Sequence, residues 1–314
     1  MYSILILTLN EEKNLPACLA SVRGCDDIVI LDSHSADRTA EIAHTAGARV
    51  FTHAFLNFAD QRNHAHAAIP FRHEWIFHLD ADEMMTPELH AECTALLRGS
   101  GLAEHDGCLV APKMLFRGRW IRRCTDYPAY QARLAHRQRF RFVEHGHGQR
   151  EAPGLRLRLL QSSYLHNLSA QTEDEMEAKH LRYAAAEARD FIQRRRPLSG
   201  IMRDLRGRDA LACRRALKEL SQRLPCRGLL RFIYQYGLRG GFLDGAPGLA
   251  YCRMLARYEQ AVSRELKARR AKNAWAAGRL SSSTGFTGLR NRPPDNCSRI
   301  WRRNWPPEVR PSRS

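Results

Sequence analysis

The strongest constraint on the fold is a repeated pattern: an apolar run that stops abruptly in acid and hydroxyl side chains. Residues 3–8 (SILILT) run into Leu9-Asn10-Glu11-Glu12, residues 27–31 into Asp32-Ser33-His34-Ser35, and residues 75–79 into Asp80-Ala81-Asp82-Glu83. An apolar run without polar alternation is a strand buried on both faces, as in a sheet covered by helices on both sides. In an open α/β sheet, ligands bind at the C-terminal edge of the strands, where these acids stand.

Helix signals separate the runs. Leu15, Leu19 and Val22 recur on one face, with Pro16 tolerable in the first turn and Gly24 as a stop. Asp37-Arg38-Thr39 opens a second helix that stops at Gly47, and residues 49–52 form a short third strand. Residues 58–69 read as a helix bearing Arg62, Asn63, His64 and His66, ended by Pro70. Thr86 caps and Pro87 opens another, which runs to Gly99. Strands and helices in alternation predict an α/β fold on a doubly wound, mostly parallel sheet.

After residue 107 the grammar changes. Residues 108–115, 130–135, 140–143 and 155–160 read as strands with no helix between them. Residues 171–196 are helical in pattern, and 210–270 carry helical segments interrupted by Pro225 and by the glycines of 237–248. From 271 to 314 the chain is Arg, Pro, Ser, Asn and Trp without period, the composition of a disordered tail. The expected organisation is therefore an α/β domain over 1–170, a helical C-terminal extension over 171–270, and a basic tail over 271–314.

A formal charge of +17 bears on partners more than on fold: phosphates, acidic lipid headgroups or nucleic acid. A nucleic-acid-binding protein should interleave basic and aromatic residues along one element. Here the basic residues concentrate after residue 115 and the best-formed pocket signal is acidic, so no nucleic-acid partner is expected. The nine cysteines are scattered singly, the usage of a reducing compartment. No signal peptide precedes the first strand, and no apolar run is long enough to span a bilayer, so a cytoplasmic location is expected.

Asp80 and Asp82 lie two apart, so an extended backbone points them the same way, whereas a turn splays them. Close carboxylates repel unless something positive neutralises them, and a hard divalent cation carrying phosphate oxygens is an economical partner. A solvated acidic turn before Thr86-Pro87-Glu88 is the other reading of the same residues.

Four stretches taken in order, SILILTLNEEKNLPACLASV, DIVILDSHSADRTAEIA, ADQRNHA and WIFHLDADE, resemble the inverting family 2 glycosyltransferases of the GT-A fold. GFLDGAPGLAYCRMLARYE resembles the bacterial branch that builds lipopolysaccharide cores and exopolysaccharides. The resemblance implies a nucleotide-sugar donor, UDP-linked, and Mg²⁺ or Mn²⁺ as cofactor. It implies that Asp32 accepts a hydrogen bond from the uracil N–H and that Thr8, Asn10 and Glu11 line the nucleoside pocket. Arg62 would meet the diphosphate, Asp82 would hold the metal, and Asp80 would face ribose or metal. A His at the place of His166 can complete the metal shell, and imidazole suits Mn²⁺ better than Mg²⁺.

Inverting transfer also needs a general base for the acceptor hydroxyl. The candidates are Glu144 and Glu151; Glu151 is favoured because residues 147–151 form a glycine-hinged polar loop, while a surface ion pair with Arg150 or Arg156 is its bland reading. The histidine pairs His64/His66 and His145/His147 lack further ligands at finger spacing, so no zinc site is expected. Residues 201–270 mix Leu, Ile, Phe and Tyr with many Arg, a pattern suited either to an anionic membrane surface or to a helical subdomain with snorkelling arginines. The expected partners are thus a nucleotide sugar, a lipid-linked or polysaccharide acceptor, and the inner face of the cytoplasmic membrane. A non-catalytic relative is the alternative within the family.

Overall fold

The computed structural model describes residues 1–99, 101–145, 148–168 and 226–283, with parts of 180–224. Met1–Leu266 form one compact unit; beyond it the described residues continue as helix to Ser283.

Among the described residues the α/β part holds eleven strands: β1 (Ser3–Thr8), β2 (Ile28–Asp32), β3 (Arg49–Thr52), β4 (Trp75–Asp80), β5 (Glu83–Met84), β6 (Gly107–Phe116), β7 (Arg119–Trp120), β8 (Gln131–His136), β9 (Phe142–His145), β10 (Gly148–Glu151) and β11 (Leu157–Asn167). The main sheet has the order β3-β2-β1-β4-β8-β6-β11-β5, with β7 paired to β6. β3, β2, β1 and β4 are mutually parallel, and β11 is parallel to β6. β8 runs antiparallel to both β4 and β6, so these six strands all end at one edge. The expected doubly wound, mostly parallel sheet, with a C-terminal helical extension, is what the chain forms.

Burial explains the uninterrupted apolar runs. Ile4 and Ile6 of β1 pack into one core with Leu15, Leu19 and Leu89, while Leu5 between them packs on the opposite face with Val29, Leu31 and Ala65. The helices on the two faces are α1 (Leu15–Ser21), α2 (Thr39–Thr45), α3 (Phe58–Ala68) and α4 (Pro87–Arg98). Asn57 caps α3 by accepting from the Asp60 N–H at 2.8 Å, and Thr86 caps α4 by accepting from the Leu89 N–H at 3.2 Å. α3 is polar yet buries Gln61, Arg62 and His66. Asn63 clamps it to the β9–β10 hairpin: its Nδ2 donates to the Phe142 carbonyl at 2.9 Å and its Oδ1 accepts from the Phe142 N–H at 3.0 Å.

Two sequence expectations change. Residues 148–151, expected as a loop, are strand β10 paired with β9; four-residue strands with no apolar alternation carry no period to read. Residues 271–283, assigned to the aperiodic tail, continue the last helix. Most of the expected helix 171–196, and the tail from 284 on, lie outside the described residues.

The C-terminal extension includes α5 (Leu198–Arg206), α6 (Arg227–Phe232), a π-helical turn (Ile233–Leu238), a 3₁₀ turn (Gly241–Asp244) and α7 (Gly245–Ser283). It grips the loop that follows β7. Asp244 Oδ2 accepts from the Arg123 and Cys124 N–H groups at 2.8 Å each, Gln235 Nε2 donates to the Cys124 carbonyl, and Arg239 donates to the Thr125 carbonyl at 2.9 Å. Cys124 packs against Cys252 with the sulfurs 3.4 Å apart. Gly241 permits this approach, since a Cβ there would stand 2.8 Å from Cys124 Sγ.

Candidate active site

The strand ends bring most of the expected residues to one edge. Thr8 lies opposite Asp32 in register, and Leu7 opposite Asp80. Thr8 Oγ1 donates to Asp32 Oδ1 at 2.7 Å, the Ser35 hydroxyl donates to the same oxygen at 2.5 Å, and the Ser35 N–H donates to Oδ2 at 2.7 Å. The Asn10 N–H donates to Ser35 Oγ, Asn10 Oδ1 accepts from the Ala36 N–H, and the Glu11 N–H donates to Thr39 Oγ1, each at 2.8 Å. Asn10 (φ 57°) and His34 (φ 63°) adopt the left-handed region that lets the two loops meet. Asp32 is buried and ties these loops together; Oδ2, with one bonded donor, retains capacity for another.

Asp80 sits between two arginines. Arg62 Nη2 donates to Oδ1 at 2.7 Å, and Arg133 Nη1 and Nη2 approach Oδ2 at 3.4 Å. Burial disfavours its charge, yet the two guanidinium groups hold Asp80 down at about 2. Arg133 also donates to Glu83 Oε1 at 2.5 Å and, through Nε, to Tyr164 Oη at 3.1 Å; Tyr164 in turn donates to Gln131 Oε1 at 3.2 Å. Glu83 is buried and accepts from the Asp80 N–H at 2.9 Å; burial and the neighbouring carboxylates raise it to about 7 against the pull of Arg133.

Arg62, expected to meet the diphosphate, is here bound to Asp80. It lies beneath Asp80, 1% exposed, with its guanidinium over the Phe142 ring, and its Nε and Nη1 have no protein acceptor. α3 is polar, and the β9–β10 hairpin covers it. Asp80, expected toward ribose or metal, keeps about a third of its side chain exposed while both oxygens meet arginines.

Asp82 turns away from this cluster to His166, whose Nε2 is 3.3 Å from Asp82 Oδ2. β5 pairs with β11 and sets Glu83 opposite His166, while the Asn167 N–H donates to the Asp82 carbonyl at 2.9 Å. Burial would lower the His166 pKa, but Asp82, Glu83 and Asp80 raise it above the ordinary imidazole value. Among the described residues no three His, Cys, Asp or Glu side chains are grouped to hold a metal. Asp82 and His166 supply one carboxylate and one imidazole, which fits a cation whose other ligands are waters and substrate phosphates.

Beside Asp80 opens a cavity of about 430 Å³, lined by Arg62, Gln131, Arg133, Phe142, Gln149 and Glu151 among others. Glu144 and Glu151 lie on the same face of the hairpin, since Glu151 pairs with Phe142 and Glu144 with Gln149. Glu151 lines the cavity, whereas Glu144, nearer the hairpin tip, is exposed and outside its lining. Arg133, Glu83, Gln131 and Tyr164 were not singled out from sequence. The available signal was an arginine inside the apolar run of β8, QARLAH, a charge that a buried strand tolerates only when paired.

Residues 3–143 match the family model described as Glycosyl transferase family 2. An uncharacterized glycosyltransferase of Rickettsia typhi is 33% identical over 117 residues, 37% of this chain and 39% of that protein. The lipopolysaccharide core biosynthesis glycosyltransferase LpsC of Rhizobium meliloti is 34% identical over 103 residues, 31% of this chain and 37% of that one. The chain thus spans about two fifths of the length of these relatives. Among solved structures, residues 1–349 of TarS from S. aureus are similar at 17% identity and a TM-score of 0.39, covering 86% of this chain and 91% of that one. The strand ends that carry Thr8, Asp32, Asp80 and Asp82 all fall inside residues 3–143, the segment that is similar to the family 2 glycosyltransferases.

Proposed function

We propose that the chain transfers a sugar from a UDP-linked donor, with inversion and with Mg²⁺ or Mn²⁺, to a lipid-linked glycan or a lipopolysaccharide or exopolysaccharide acceptor. The observation that carries this reading is the convergence on one sheet edge of the Thr8/Asn10/Glu11/Asp32 loops, the Asp82–His166 pair and the cavity bearing Glu151. The loops would take the nucleoside, with Asp32 Oδ2 accepting from the base N–H. Asp82 and His166 would hold the cation. When bound, that ion neutralises charge on the departing diphosphate as a Lewis acid. Asp80, clamped by Arg62 and Arg133, holds the backbone turn that presents Asp82. Glu151 takes the proton from the acceptor hydroxyl as its oxygen attacks the anomeric carbon opposite the leaving group.

An anionic membrane surface at the inner face of the cytoplasmic membrane is the proposed place of work. Leu229, Ile233, Leu238, Phe242 and Leu243 are all more than half exposed on the α6–3₁₀ segment, with Arg231 and Arg239 in the same segment. Apolar area together with basic charge is what interfacial binding requires. No helix among the described residues is long and apolar enough to cross a membrane.

The test is calorimetric titration of UDP into the full chain with Mn²⁺ and with chelator. UDP binding should depend on the metal, and Asp82→Asn should weaken it by more than about tenfold, or 1.4 kcal/mol. Metal-independent binding, or unchanged affinity in the variant, would sink the metal-bridge reading. In transfer assays Glu151→Gln should lose about 10²–10⁴-fold in rate and Glu144→Gln little, the range for a positioned general base.

A further inference from the structure

Beyond the cavity, the same sheet edge carries a second polar and aromatic cluster. Trp120 of β7 pairs with Leu115 of β6, and Lys113, two residues earlier on β6, places its Nζ 5.1 Å from the Trp120 ring centroid. The Arg122 guanidinium lies 5.7 Å from the same ring and 6.0 Å from that of Tyr127. The two rings meet edge to face at 5.3 Å, and Tyr127 Oη is 3.4 Å from Ser163 Oγ.

Three features point to a ligand. Lys113 and Arg122 contact rings and form no ion pair with any described carboxylate. Trp120 Nε1 is buried without a hydrogen-bond partner, a donor that interior groups seldom leave unmet. The cluster also abuts the reacting edge: Lys113 lies opposite Leu165, the residue before His166, and the loop carrying Arg122 and Tyr127 leads into Tyr130 and Gln131 of the cavity. Aromatic faces accept the C–H faces of a sugar ring, and paired cations accept phosphate or carboxylate oxygens.

We propose that Trp120, Tyr127, Lys113 and Arg122 form an acceptor subsite for a saccharide that carries an anionic group, a phosphate or a carboxylate, next to the ring. This deepens the glycosyltransferase reading and rests on it. The loop's attachment to the exposed apolar segment through Asp244, Gln235 and Arg239 sets the subsite between that segment and the reacting edge, where the charged sugar of a lipid-linked acceptor would arrive.

The test uses the full chain with UDP and Mn²⁺ present. Glucose 1-phosphate and glucose 6-phosphate are titrated by saturation-transfer NMR, beside glucose, inorganic phosphate and anionic phosphatidylglycerol vesicles. At least one sugar phosphate should bind about tenfold more tightly than glucose or phosphate alone, and K113Q/R122Q should remove that advantage. Both residues lie outside the core, so the double variant keeps its melting temperature and remains informative. Equal binding of phosphate and sugar phosphate, no loss in the double variant, or displacement only by vesicles would overturn the subsite. Failure of UDP and Mn²⁺ to bind the unaltered chain, with sugar-phosphate binding intact, would instead strike the donor reading and leave the subsite standing.

Discussion

Replacing Arg62 by Met separates a structural role for this buried guanidinium from direct contact with substrate. Arg62 is 1% exposed and donates to Asp80 at 2.7 Å, so its removal leaves Asp80 with Arg133 alone, at 3.4 Å. Breaking a buried pair costs about 3–5 kcal/mol, and Arg133 keeps this case at the low end. Against that, Nε and Nη1 of Arg62 are buried without acceptors, and a methionine of similar length removes that penalty, roughly 1 kcal/mol, while still packing on Phe142. The net expectation is a loss of about 2 kcal/mol, a fall in melting temperature of about 3 °C for a chain of this size. Adding Asp80→Asn to Arg62→Met should restore part of the loss, because the stranded charge is gone. Thermal melts of the four members of this cycle, without nucleotide or metal, measure the coupling. An unchanged melting temperature, combined with a more than tenfold drop in UDP affinity, would refute the structural role and return Arg62 to the diphosphate.

Three further outcomes are expected. His66 donates to or accepts from His78 at 3.0 Å, and burial, helped by the Arg62 charge, lowers it to about 4; the folded protein keeps it neutral while the unfolded chain protonates it below about 6.5, so stability should fall as pH drops from about 6.5 toward 4 by up to about 3 kcal/mol, and urea midpoints at pH 7 and 5 should diverge less in His66→Gln. Identical slopes in the two proteins would contradict this. Gly107→Ala should destabilise by about 1–3 kcal/mol, because the new Cβ would stand 2.6 Å from the buried Phe140 ring and 3.1 Å from the Leu134 carbonyl; a neutral denaturation result would mean that the ring moves freely. Leu238→Glu with Leu243→Glu should reduce co-sedimentation with anionic vesicles while sparing UDP binding, and undiminished sedimentation would show that the exposed apolar segment is not the contact.

The parallel strands were readable because each is buried on both faces, so β1, β2 and β4 appear as unbroken apolar runs whose ends mark the site. Thr8, Asp32 and Asp80 stand together for that reason, and β11 brings His166 to Asp82. Arg133 was not readable, because its partners depend on β8 inserting antiparallel between β4 and β6, a pairing set by topology rather than by local pattern. The burial of Arg62 was not readable for a related reason: the sequence shows a polar helix but not the hairpin that covers it. Glu144 and Glu151 occupy one face of the same hairpin, and that only Glu151 lines the cavity is set by the tertiary fold rather than by local sequence.

The grip of the C-terminal extension on the loop after β7 bears on how such chains diverge. The backbone groups of Arg123, Cys124 and Thr125 are satisfied by side chains 111 to 121 residues further along the chain. A chimera that exchanged only the first 170 residues with a relative would inherit a loop whose partners were left behind, with Phe116, Ile121 and Cys124 losing Cys252 and its neighbours as cover. Residues 121–127 and 235–252 therefore form a single heritable unit, and an exchange between lineages should keep its packing only when both segments travel together.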